Sequence, residues 1–88
     1  MAVYRVVLAK SVNHDVRALQ KRELDRILVA LRALADNPFP PRSRKLTGSE
    51  STYRIRVGDY RIIYEVDHAG NEVNVHHIRH RKDAYHKQ

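Results

Sequence analysis

The sequence contains no cysteine and no tryptophan, and only one methionine, one phenylalanine, three glycines and three prolines among 88 residues. Without cysteine there is neither a disulfide framework nor a thiolate metal site, which excludes disulfide-stapled mini-proteins and zinc ribbons. No apolar run approaches the roughly 20 residues of a membrane-spanning helix; the longest mostly apolar stretch, Ile27–Ala35, is interrupted by Arg32. Internal repeats, low-complexity tracts and Ser/Gly linkers are also missing. Negative charge is scarce: 10 Asp and Glu face 17 Lys and Arg, a net charge of +7. Such a surface favours a polyanionic partner, nucleic acid ahead of an anionic membrane. With 42% hydrophobic and 31% charged residues, the composition suits one soluble globular domain over residues 1–88, with a modest core. The N-terminus, Met1-Ala2-Val3-Tyr4-Arg5, lacks the basic-then-apolar order of a signal peptide, so a cytoplasmic location is expected.

What is present divides into two periods. Val3–Ala9 is rich in β-branched and aromatic residues with one interior charge, and reads as a strand inside a sheet. Ser11 is placed to cap a short helix whose apolar stripe is Val12, Val16 and Leu19. A second stripe runs through Leu24, Ile27, Leu28, Leu31, Leu34 and Ala35. The five-residue step from Leu19 to Leu24 rotates it by about 140°, so two helices are expected rather than one. The helical pattern stops at Asp36-Asn37-Pro38, and Pro38-Phe39-Pro40-Pro41 forces an extended connection. Arg42-Ser43-Arg44-Lys45 leads into the next strand region.

From Thr52 the period becomes two. Tyr53, Ile55 and Val57 share one face while Arg54 and Arg56 share the other. Gly58-Asp59 suits a type II′ hairpin. Tyr60, Ile62, Tyr64 and Val66 then alternate with Arg61, Ile63 and Glu65. A second turn, His68-Ala69-Gly70-Asn71, leads to a strand over Glu72–Arg79, where Val73 and Val75 alternate with Asn74 and His76. The expected fold is α+β, in the order β-α-α-β-β-β, with a largely antiparallel sheet packed against a helical hairpin.

Two groups of residues are able to carry chemistry. Arg54 and Arg56 leave the same strand face and Arg61 joins them across the hairpin; three cations together repel one another unless phosphate supplies bidentate partners. A solvated sheet face that keeps the domain soluble has the same spacing. The second group is His76-His77-Ile78-Arg79-His80-Arg81-Lys82-Asp83-Ala84-Tyr85-His86-Lys87, a basic cluster with four of the six histidines. Here an arginine can stabilise a phosphorane, a histidine can move a proton near neutral pH, and a tyrosine can stack on an unpaired base. A tail that merely contacts nucleic acid has the same composition. A zinc site fits poorly, because alternation sends His76 and His77 to opposite faces of a strand and no cysteine or acidic pattern is nearby.

The string Tyr53-Arg54-Ile55-Arg56-Val57-Gly58-Asp59-Tyr60-Arg61-Ile62-Ile63-Tyr64-Glu65-Val66-Asp67, followed by His80-Arg81-Lys82-Asp83-Ala84-Tyr85, resembles the RelE branch of the RelE/ParE toxin superfamily, and the likeness covers the whole chain. The resemblance implies the toxin of a type II toxin–antitoxin pair, a metal- and cofactor-free endoribonuclease that cuts messenger RNA in the ribosomal A site. The ribose 2′-OH would attack its own phosphate to leave a 2′,3′-cyclic phosphate and a 5′-OH. Arg61, Arg81 and Tyr85 match the family's catalytic positions. Arg54 and Arg56 match two basic positions expected to bind RNA, with Lys45 and Lys82 as further RNA contacts. Relatives often carry lysine at the first two of these, which could act as a base; arginine hardly can, so His80 and His86 become candidate proton carriers. Implied partners are an antitoxin, the ribosome and messenger RNA, with DNA contacted only through the toxin–antitoxin complex and no membrane. The other readings are the ParE branch, which shares the fold and inhibits DNA gyrase, and a non-catalytic nucleic-acid-binding module.

Overall fold

The computed structural model describes residues 3–81. Strand β1 (Arg5–Leu8) is followed by helices α1 (Lys10–Arg17) and α2 (Lys21–Asp36). Strands β2 (Arg44–Lys45), β3 (Thr52–Val57), β4 (Tyr60–Asp67) and β5 (Glu72–His80) complete the chain. One five-stranded sheet has the order β1-β5-β4-β3-β2, with β1 parallel to β5 and every other pair antiparallel. The α+β class and the order of elements are those expected, with the two-residue β2 added at one edge.

The helices cover one face of the sheet. Val12, Ile27, Leu31 and Leu34 from the helices and Ile55, Ile62, Tyr64, Val66, Val73, Val75 and Ile78 from the strands form the buried core. The break between the helices falls at Leu19-Gln20, where Gln20 caps α2 in a reciprocal arrangement with Glu23, satisfying first-turn N–H groups that a helix leaves open. Both helical stripes turn their apolar residues to the sheet because of that break.

Three details differ from the sequence expectation. First, β1 is an edge strand bonded only to β5. Val6 and Leu8 pack on the core while Val7 stays 38% exposed, because none of the described residues covers the second face there. Second, Ser11 does not cap α1: Ala9 occupies that position with no side-chain cap, and the Ser11 hydroxyl donates to the His76 carbonyl at 3.3 Å. Third, β5 carries a bulge. Ile63 opposes His77 and Tyr64 opposes Val75, leaving His76 as the extra residue. A bulge resets the alternation of a strand; here it turns Ile78 into the core. The α1 helix braces this irregularity, with Ser11 on the His76 carbonyl and the Asp15 carboxylate accepting from the Ile78 N–H at 3.5 Å.

The hairpin between β3 and β4 has Gly58 at φ +59°. Asp59 is not among the residues of positive φ, the pattern of the type II′ turn. A Cβ at Gly58 would also crowd the exposed Arg26 guanidinium, at 3.2 Å, which would have to give way by a few tenths of an ångström.

Candidate nucleic-acid interface

The face of the sheet turned away from the helices belongs to the arginines. Alternation sends Ile55, Ile62 and Tyr64 inward and therefore Arg54, Arg56, Arg61 and Ile63 outward. Strand register then sets the grid. Arg44 opposes Arg54, Arg56 opposes Arg61, and Arg61 opposes Arg79. Three directly opposed pairs of like charge are an unfavourable arrangement for a sheet, whose stabilising cross-strand pairs carry opposite signs or apolar contact.

The strands and the proline connection enclose a groove of about 370 Å³, lined by Pro41, Arg42, Arg44, Arg54, Ile55, Arg56 and Arg61. Among the described residues five arginines line it and no carboxylate does. No ion pair among the described residues involves Arg42, Arg44, Arg54 or Arg56. What hydrogen bonds these arginines make go to backbone oxygen: Arg56 Nε donates to the Gly58 carbonyl at 3.3 Å, and Arg44 Nη1 to the carbonyls of Ser43 at 3.1 Å and Pro41 at 3.4 Å. Such bonds orient a guanidinium without neutralising it, leaving its charge for a phosphate.

Arg81 stands at the hairpin end of this face. Its backbone N–H donates to the Asp59 carbonyl at 2.7 Å, and its guanidinium lies 4.0 Å from the Asp59 carboxylate with half its side-chain surface open. The turn between β3 and β4 thus ties Arg81 to the strands that carry Arg56 and Arg61.

At the other end of the face the glutamate of β4 is engaged. The Ser51 hydroxyl donates to Glu65 at 2.9 Å and His76 Nε2 lies 3.2 Å from its second oxygen. These bonds, Ser51 first and His76 second, hold the Glu65 carboxyl below its ordinary pKa. The bulge places both His76 and His77 on this outer face, since His77 opposes the outward Ile63 and accepts from Arg79 Nη2 at 3.1 Å. Simple alternation had sent them to opposite faces. No group of three His, Cys, Asp or Glu side chains among the described residues is arranged to hold a metal ion.

The sequence candidates therefore divide. Arg54, Arg56 and Arg61 converge in the groove and Arg81 stands at the neighbouring turn. His80 does not join them: it opposes Tyr60 in register and packs edge-on against that ring, centroids 5.1 Å apart, on the helix side. Lys45 opposes Tyr53, whose ring packs on the core, so Lys45 lies on the opposite face from Arg44 and Arg54. Lys82, Tyr85 and His86 lie outside the described residues. Sequence reading had not singled out Arg42, Arg44 or Arg79. Arg44 shows itself only once β2 is paired, and Arg79 only once the bulge is counted.

A second groove adjoins the first. About 640 Å³ in volume, it lies between α2 and the proline connection, floored by Ala30, Ala33, Leu34 and Val57, and it shares Pro41, Arg42 and Ile55 with the arginine groove. Val29 on its rim is 64% exposed.

Residues 6–85 match the family model described as the ParE toxin of the type II toxin–antitoxin system parDE. A curated protein of Methanocaldococcus jannaschii, provisionally named toxin RelE1, is 28% identical over 85 residues, covering 93% of this chain and 94% of that one. Among solved structures, the archaeal RelE–RelB complex from Pyrococcus horikoshii OT3 aligns with a TM-score of 0.82 at 31% identity, over 90% of this chain and 96% of that chain. The RelB–RelE antitoxin–toxin complex from Methanococcus jannaschii gives 0.75 at 26% identity, over 91% and 95%. The isolated Escherichia coli RelE toxin gives 0.78 at 19% identity, over 94% and 96%, a likeness of fold.

Proposed function

The chain belongs to the RelE/ParE superfamily of type II toxin–antitoxin toxins, and from that premise we propose that it is a ribosome-dependent endoribonuclease that cuts messenger RNA in the A site. The observation that carries the reading is the outer sheet face, where three like-charged arginine pairs oppose one another beside a groove that no carboxylate of the described residues lines. A fold gains nothing from that arrangement until a polyanion fills it.

The chemistry is attack of a ribose 2′-OH on the adjacent phosphodiester. The O2′–P bond forms as the 2′-OH gives up its proton to solvent, the P–O5′ bond breaks, and the leaving 5′-oxyanion takes up a proton, so the products are a 2′,3′-cyclic phosphate and a 5′-OH. Negative charge grows on the non-bridging oxygens. Arg61 in the groove and Arg81 at the hairpin turn supply fixed positive charge for it, and Arg54 and Arg56 hold the flanking backbone. Tyr85, matched to the family's C-terminal tyrosine, stacks on the message. Arginine keeps its proton throughout, so the strand face contributes position and electrostatics.

An antitoxin partner follows from membership in the superfamily. We assign its inhibitory segment to the junction of the two grooves: an amphipathic, acidic stretch would set apolar side chains against Ala30, Ala33 and Leu34 and carboxylates against Arg42, Arg54 and Arg56. A complex structure that leaves those arginines open to solvent would overturn this placement.

The test is primer extension on messenger RNA held in purified ribosomes, beside naked RNA. Cuts at A-site codons that require the ribosome, and that fall roughly 10²–10³-fold with Arg61→Ala, support the proposal. The family model that matches is that of the ParE toxins, so gyrase inhibition is the second reading. Growth arrest without any cut, together with inhibited supercoiling, would establish it.

A further inference from the structure

The proline connection presents Arg42 and Arg44 to the groove from a rigid ledge. The Ser43 N–H and hydroxyl both donate to the Pro40 carbonyl, at 2.9 and 2.8 Å. The hydroxyl of Tyr64, a fully buried residue, holds the Pro38 carbonyl at 2.7 Å. Phe39 packs edge-on against Tyr53 with centroids 5.0 Å apart. Pro40 and Pro41 remove most of the remaining backbone freedom. A loop this restrained places its two arginines beside Arg54 and Arg56 rather than letting them swing away from like charge.

Charge counting then sets the size of the ligand. Five guanidinium groups line the groove, and one phosphodiester carries a single negative charge, so one phosphate leaves most of the repulsion standing. Arg44 is also two strands from Arg61 in the sheet and offset from it by two residues along the strands, a separation of roughly 12 Å at the backbone. The groove therefore spans more than the reacting phosphate.

We propose that Arg42 and Arg44 form a second phosphate subsite, which grips the backbone of a single-stranded RNA next to the nucleotide held by Arg54, Arg56 and Arg61. The subsite deepens the ribonuclease reading and rests on it for its substrate class. Its work is affinity and register. Arg42 and Arg44 touch a phosphate away from the bond being cut, so turnover of the saturated complex does not depend on them.

The test is the salt dependence of binding to a short 2′-O-methyl RNA, which lacks the attacking hydroxyl and cannot be cut. Each phosphate neutralised on a single strand contributes about 0.7 to the slope of log K against log salt. Arg42→Ala with Arg44→Ala is expected to lower the slope by about 0.7, Arg42→Lys with Arg44→Lys to restore it, and trimming the RNA from one end to erase the difference. Both positions are exposed, and thermal melting of each variant confirms that it is folded. A slope unchanged in the alanine variant overturns the proposal. So does an unchanged slope with weakened binding of the cognate antitoxin, which would make the ledge a protein contact. The binding readout is separate from cleavage. If the wild type binds with an Arg42- and Arg44-dependent slope but never cuts ribosome-held message, the subsite stands and the ribonuclease reading falls. If it cuts with an Arg61 dependence while the slope ignores the ledge, the reverse holds.

Discussion

Tyr64→Phe removes one oxygen from the centre of the molecule and tests how the core holds the site. Tyr64 is completely buried in β4, stacked on Tyr53 with centroids 5.9 Å apart, and its hydroxyl donates to the carbonyl of buried Pro38. Phenylalanine keeps the ring and leaves that carbonyl without its partner, which costs about 1–3 kcal/mol. For a domain of this size 1 kcal/mol moves Tm by roughly 4–8 °C, so a loss near the middle of that range lowers Tm by about 8–16 °C. Burial pushes the Tyr64 hydroxyl up from 10.0 to about 12, partly offset by its contact with Ser43. The unfolded chain therefore loses this proton first as pH rises, and the stability that Tyr64 contributes is full below pH 10 and drains away towards pH 12. The whole shift is worth roughly 3 kcal/mol, about the size of the hydrogen-bond penalty, so wild type and Tyr64→Phe should converge near pH 12. Urea unfolding followed by circular dichroism at a series of pH values measures both quantities. A difference under about 0.5 kcal/mol at neutral pH, or one that ignores pH, refutes the argument. Amide exchange at Ser43 should quicken in the variant if Tyr64 is what steadies the Arg42 ledge.

Other consequences are narrower. Gly58→Ala forces a side chain into the left-handed region and against the Arg26 guanidinium, and should lower unfolding free energy by roughly 1–2 kcal/mol, read from the urea midpoint. Leu34→Ala empties a fully buried position of α2 and should cost about 2–5 kcal/mol by the same measurement. The lowered pKa of Glu65, held by Ser51 and His76, adds stability above its ordinary value of 4.5 that is lost as pH falls through the lowered one. Acid unfolding curves of wild type and Glu65→Gln should therefore draw together at the acid end and separate above it. Arg54→Glu turns the opposed pair with Arg44 from repulsive to attractive; it should leave the fold equal or up to about 1 kcal/mol more stable while RNA binding collapses.

Much of this fold is legible in the sequence because its two periods are clean. Tyr53 to Val66 alternates without interruption on either side of Gly58-Asp59, and every residue assigned inward there packs on or within the core. The helix break is also readable, since a five-residue step cannot keep one apolar stripe. Legibility ends where pairing, rather than local pattern, decides. Val3–Ala9 looks like a strand inside the sheet, but an apolar run cannot reveal how many neighbours a strand has. β2 is two residues long and has no period at all. The bulge at His76 shifts the phase of everything after it, so that His80 packs with Tyr60 and Arg79 meets Arg61 instead.

That phase shift accounts for the way the site is built. With strict alternation after Val75 the core would receive His77 and Arg79, and Ile78 would face outward; the extra residue exchanges them. The same bulge that completes the core with Ile78 thus completes the outer row Arg56, Arg61, Arg79. α1 supplies the brace, through Ser11 and Asp15, so a helix on one side of the sheet fixes a charge on the other. The two faces are consequently coupled. Weakening the brace should loosen Arg79 and His77 together, and Ser11→Ala with Asp15→Asn is expected to broaden the His77 and Arg79 resonances in NMR while Arg54 on β3 keeps its line shape. Uniform broadening across all three strands would show instead that the sheet carries the bulge without help from α1.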